Sequence, residues 1–145
     1  MRLSKLVFAI SCVIVIDPTS GSVAQDKNKS VPILVDWQGK VKIELKEKVP
    51  QQKYVADSET WKKLWTAFRG AEQVPSVNFK ETIVLVAWSG DPNRIRVVPT
   101  IDGKGDLQMT YQSTLIAFEN PTESAYQFAV ISRDGIKSIR GAKIE

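Results

Sequence analysis

The chain contains no histidine and one cysteine, Cys12. Without histidine there is no Ser-His-Asp triad, no Cys-His pair and no imidazole to hold zinc or haem iron. With Cys12 inside the N-terminal apolar stretch, no cysteine is left downstream to form a disulfide. Long apolar runs are scarce too. The main one, Leu6–Ile16, has 11 residues, where crossing a bilayer takes about 20. Excess charge is also lacking: 20 basic and 16 acidic residues leave a net +4, too weak a field to mark a nucleic-acid binder. Catalysis by carboxylates alone stays open in principle. However, the acidic residues fall mostly in turns and on outward strand positions, with no evident inward pair. The chain therefore reads as a non-enzyme with no cofactor and no metal site.

The N-terminus carries a different kind of signal. Arg2 and Lys5 make a basic start, Leu6–Ile16 follows, and "DPTSGSVA" ends on small residues at Ser22 and Ala24. This is the pattern of a secretory signal peptide over residues 1–24, with cleavage expected after Ala24. Apolar "VIVI" follows Cys12, so Cys12 does not fit a lipoprotein box. Cleavage removes Arg2, Lys5 and Asp17, which leaves 121 residues with a net charge of +3. That length suits one domain with one core, periplasmic or extracellular, without a membrane span. Gln25–Pro32 is polar and ends in proline, and reads as a flexible lead-in to a single domain over 33–145. Oligomeric state is not legible.

Periodicity then sets the elements. "VKIELKEKV" alternates: Val41, Ile43 and Leu45 point one way, and Lys40, Lys42, Glu44, Lys46 and Lys48 the other, which predicts a strand with a wet lysine face. "KYVA" predicts a short strand. Trp61, Leu64, Trp65 and Phe68 fall at helical spacing behind an Asp57 N-cap and before Gly70, which predicts an amphipathic helix. "TIVLVAW" is almost wholly apolar and β-branched, as a strand buried on both faces should be. "RIRVV" is predicted to end at Pro99, "LQMTY" to turn Leu107, Met109 and Tyr111 inward, and "AYQFAVI" to alternate about Tyr126, Phe128 and Val130. Together these predict an α+β fold, a mostly antiparallel β-sheet with one amphipathic helix packed on one face.

Three loops are candidate sites. In "SGDPNRIR", Pro92 and Asn93 suit a hairpin turn, while Arg94 and Arg96 share strand parity and can present a small anion or carboxylate site with Asp91 and Asn93. "DGKGD" has two aspartates but lacks the spaced oxygen ligands and closing Glu of a calcium loop, so it reads as a turn. "ENPTESAY" supplies Asn120 and Thr122. It resembles the Asn-Pro-Thr loop of chagasin-type cysteine-protease inhibitors, with Glu123-Ser124-Ala125 where that motif has Thr-Gly before the aromatic residue.

A broader resemblance covers most of the domain. Trp61, Leu64-Trp65, Pro75, Val77 and Phe79, followed by the apolar strand "TIVLVAW", resemble the C-terminal domain of PrcB-type protease-complex accessory subunits, with Asn78 in place of Asp. Where that family has a Gly-rich turn, this chain reads Gly90-Asp91-Pro92-Asn93-Arg94. The whole pattern, including the ending "DGIKSIRG", looks closer to small secreted bacterial proteins of unknown function. The resemblance implies a non-catalytic accessory module whose partner is another extracytoplasmic protein, a protease complex among the possibilities. The alternatives are a polyanion or envelope-polymer binder acting through the lysine face, and a chagasin-like inhibitor.

Overall fold

The computed structural model describes residues 28–144, so the signal segment at 1–24 lies outside the described residues. In chain order the elements are β1 (Lys29–Ser30), β2 (Ile33–Lys42), a 3-10 helix (Ile43–Lys48), β3 (Tyr54–Val55), α1 (Ser58–Arg69), β4 (Thr82–Trp88), β5 (Ile95–Ile101), β6 (Asp106–Ser113), β7 (Glu123–Ser132), β8 (Ser138–Ile139) and β9 (Ala142–Lys143). The fold is α+β and mostly antiparallel, with one long helix on one sheet face. The strands divide into two sheets: a four-stranded one in the order β2-β7-β4-β3 and a five-stranded one in the order β1-β5-β6-β8-β9. Among the described residues only the short β6–β8 pairing is parallel. The four-stranded sheet is therefore the middle of three layers. It has α1 on one face and the second sheet on the other. No helix among the described residues is long and apolar enough to cross a membrane.

The helix forms where the apolar spacing places it. The Asp57 carboxylate accepts the Thr60 N–H at 2.8 Å, and Gly70 ends the helix at φ 64°. Trp61, Leu64, Trp65 and Phe68 are all buried. They meet Val84 and Val86 of β4 and Tyr126, Phe128 and Val130 of β7. The opposite face of the same two strands offers Ile83, Leu85, Ala87, Ala129 and Ile131 to Ile95, Val97, Leu107 and Met109 of the second sheet. This explains why β4 is apolar without alternation: it is covered on both sides. The same holds for β7, whose Ser124–Ile131 are all buried, so the alternation read there was only half of its pattern.

Several local expectations are corrected. The lysine-faced strand at 41–49 ends at Lys42, and Ile43–Lys48 winds into the 3-10 helix. Since β2 and β3 lie at opposite edges of one sheet, the connection between them has to cross it. It does so on the helix side, where Leu45 and Val49 join the core. Pro99 does not end β5. Val31 N–H donates to Pro99 O, so Pro99 turns its backbone towards β1 and its missing N–H removes no bond to β6. Tyr111, expected inward, is 39% exposed. Lys29–Ser30, within the expected lead-in, pairs with Ile101 and Thr100 as the first strand.

Candidate functional site

Two connections pass between the sheets at the same end of the molecule: β4 to β5 through 89–94, and β6 to β7 through 114–122. The first is therefore not the hairpin turn its composition suggested, because β4 and β5 belong to different sheets. Local chemistry shapes it nonetheless. Gly90 sits at φ 84°, and the Asp91 carboxylate accepts the Asn93 N–H at 2.8 Å as an Asx turn. The loop is tied to β7 by Ala125 N–H to Asp91 O (2.7 Å), Gly90 N–H to Ser124 Oγ (2.9 Å) and Ser89 Oγ to Ala125 O (3.1 Å).

Asn93 joins the two connections. Only 5% exposed, it donates from Nδ2 to Ile116 O (2.9 Å) and accepts at Oδ1 from Ile116 N–H (3.0 Å) and Thr114 Oγ1 (3.1 Å). This one side chain satisfies both backbone groups of Ile116, the role a neighbouring strand would otherwise fill. It holds a loop whose apolar side chains face water: Leu115 is 98% exposed, Ile116 62% and Phe118 44%. A solvated loop of leucine, isoleucine and phenylalanine is normally left to collapse or is covered by a partner. Here the hydrogen bonds of the buried Asn93 side chain hold it out.

Beside this loop runs a groove of about 340 Å³ between Gln38, Gly39 and Lys40 of β2 and Pro92, Arg94 and Ile95, with Ala125 and Tyr126 as its floor. Gly39 is required at its place: a Cβ there would lie 2.8 Å from the Tyr126 hydroxyl. Burial pushes the Tyr126 phenol above its ordinary pKa, with the Arg69 guanidinium opposing the shift. Arg69 lies over the rings of Trp65 and Tyr126 and donates to Gln38 O at 3.1 Å. Arg94 donates from Nε to Gln38 Oε1 at 3.2 Å. Next to it, Asp36 accepts from Gln38 Nε2 (2.6 Å) and Gln127 Nε2 (2.8 Å). These two bonds hold its carboxyl below the ordinary value, against burial, with Arg96 and Arg94 adding their charge. Among the described residues, no carboxylate lies within ion-pair distance of Lys40, Arg94 or Arg96.

Of the residues expected from sequence, Asp91, Asn93, Arg94 and Arg96 therefore fall together, and Asp91 and Asn93 shape the loops while Arg94 and Arg96 present charge. Asn120 and Thr122 lie in the second connection. Asn120 adopts φ 51°, and Thr122 O accepts the Ile43 N–H at 3.1 Å, so these two serve the turn into β7. Sequence reading missed Gln38 and the exposed Leu115–Phe118 segment; it set Lys40 on the wet lysine face and Tyr126 at an inward strand position without joining either to this groove. A glycine inside a strand pattern, Gly39, was the available signal for close backbone approach. Among the described residues, no group of three or more Asp, Glu, Cys or His is placed to hold a metal ion. No family model, curated protein or solved structure matches the chain.

Proposed function

We propose that the protein is an exported, non-catalytic binding module that docks on another extracytoplasmic protein through the end of the sandwich formed by the 89–94 and 114–122 connections. The observation that carries this reading is the pinned apolar loop: Leu115, Ile116 and Phe118 stand in water while the buried Asn93 fixes their backbone. Ordering a loop before binding removes an entropy cost that association otherwise bears, so such a loop suits recognition. Lys40 and Arg94, with no carboxylate within ion-pair distance among the described residues, select an acidic patch beside the apolar contact. A PrcB-like accessory role agrees with this, and a protease complex is one such partner.

The test is capture from the native extracytoplasmic fraction at low and high salt, with the wild type, a Leu115→Asp/Ile116→Asp variant and Arg94→Ala. A discrete protein retained at high salt, lost with the loop variant and weakened by Arg94→Ala supports the reading. Retention of anionic polymers alone, released steeply by salt, favours the polyanion reading instead. That second reading is supported by Lys29, Lys104 and Lys137, which line a separate hollow of about 330 Å³. It draws less from the lysine row, since only Lys40 and Lys42 remain on β2.

A further inference from the structure

One side of the sandwich is an open seam between two strand edges. Among the described residues β2 has a single strand neighbour, β7, and β1 covers only the Thr100–Ile101 end of β5. Hydrogen bonds fix which backbone groups face the seam. Ser89 N–H donates to Ala125 O and Ala125 N–H to Asp91 O, so Ala125 turns its backbone towards β4. By alternation Tyr126 faces β2 and bonds with its opposite residue, Gly39. The N–H and C=O groups of Gln38 and Lys40 therefore point outward, and Arg69 takes the Gln38 carbonyl. On β5, Thr114 N–H donates to Arg94 O, so the even-numbered residues face β6. The odd-numbered ones, Ile95 and Val97, face the seam.

Gln127 shows how the protein fills part of this gap. It is 1% exposed, and its side-chain amide accepts the Val97 N–H at 2.8 Å while donating to Asp36 at 2.8 Å. A side-chain amide here does what a strand's peptide group would do. Next to it, around Ile95 on one side and Lys40 on the other, no such surrogate is present among the described residues, and the groove opens there.

We infer that this groove binds an extended acidic segment of the partner protein by strand addition, its backbone pairing with the seam-facing groups of Ile95 and Lys40 and a carboxylate meeting Arg94 and Lys40. The inference rests on the protein-docking reading above and names the chemistry of the segment. Backbone pairing gives affinity without sequence demands, and alternate side chains give selectivity. The two cations, with no carboxylate within ion-pair distance among the described residues, choose an acid over a base.

The test uses two capped hexapeptides, alternating Val-Glu and alternating Val-Lys, and the Val-Glu peptide N-methylated at alternate residues, titrated into the protein with backbone amide NMR. The acidic peptide is expected to shift the amides of Ile95, Gln38 and Lys40 saturably. N-methylation, Glu-to-Lys exchange in the peptide and Arg94→Glu in the protein should each weaken binding by about tenfold or more. N-methylation blocks pairing without touching the protein's fold, so equal binding of the methylated peptide would overturn strand addition. Equal binding of the Val-Lys peptide, or no shifts at these amides, would overturn it too. A captured partner that depends on Leu115 and Ile116 but is indifferent to Arg94→Glu would refute this inference and leave docking through the apolar loop standing without its acidic patch.

Discussion

The two faces of the central sheet are packed with different materials. Against α1 the sheet uses rings: Tyr126 and Phe128 meet Phe68 at centroid distances of 4.9 and 5.2 Å, and Trp61 meets Phe128 edge-on at 5.4 Å. Against the second sheet it uses Ile83, Leu85, Ala87, Ala129 and Ile131. The difference follows from shape. A single helix is a cylinder that leaves wedges along a flat sheet, and aromatic side chains fill them. Two sheets stack about 10 Å apart over a broad area, so smaller side chains interdigitate. The polar insertion follows the same logic. Gln127 lies on the sheet–sheet face, beside the open seam, where Val97 N–H and Asp36 both require partners.

The comparison can be broken most forcefully at its aromatic side. Phe128→Ala removes the ring shared by Trp61, Trp65 and Phe68, and should cost about 3–5 kcal/mol in denaturant unfolding. On the other face the vulnerability is to added volume: Ala129, at 0% exposure, is expected to cost about 1–3 kcal/mol as Ala129→Leu. A loss smaller than that of a surface substitution would show the sheets standing further apart than described. Third in size is the helix entry. Asp57→Ala should cost about 1 kcal/mol at neutral pH. The bond from the Thr60 N–H holds the Asp57 carboxyl below its ordinary value, with burial opposing. Its contribution is therefore complete above the unfolded-state pKa and lost as pH falls through the lower folded one. The wild-type advantage in thermal melting should shrink as pH falls below about 4, and a gap that widens there would contradict the cap. Smallest is Leu115→Ser, expected to change stability by less than about 0.5 kcal/mol because the side chain touches water. A larger loss would place that residue in the fold and not in a contact surface.

How much was legible depends on how local each signal is. Helix α1 was readable to its caps, because Asp57, the Trp61–Phe68 stripe and Gly70 all act within a few residues. β4 was readable because burial on both faces imprints a continuous apolar run. Division into two sheets was not readable: strand partners are chosen across the whole chain, and the loops at 89–94 and 114–122 have ordinary turn composition. β2 was misplaced for a related reason. Ile33–Val35 lie exposed at an edge and Gly39 interrupts the pattern, whereas Ile43 and Leu45 alternate convincingly inside what is a 3-10 helix. Of the site, Arg94 was visible as the one loop residue without a turn role. Asn93 looked like a turn residue, and its bonds to Ile116 across 23 positions could not be read from its neighbours.

The placement of the tryptophans has a spectroscopic consequence. All four, Trp37, Trp61, Trp65 and Trp88, belong to the helix-side cluster, and three of them stand within 5.2–5.6 Å of one another. Tryptophan fluorescence therefore watches a single layer. It reports the docking of α1 on the central sheet, and the close indoles should give a coupled near-ultraviolet circular dichroism signal. Separation of the outer sheet is dark to the tryptophans, and following it takes the Tyr111 phenol of β6 or an added fluorophore there.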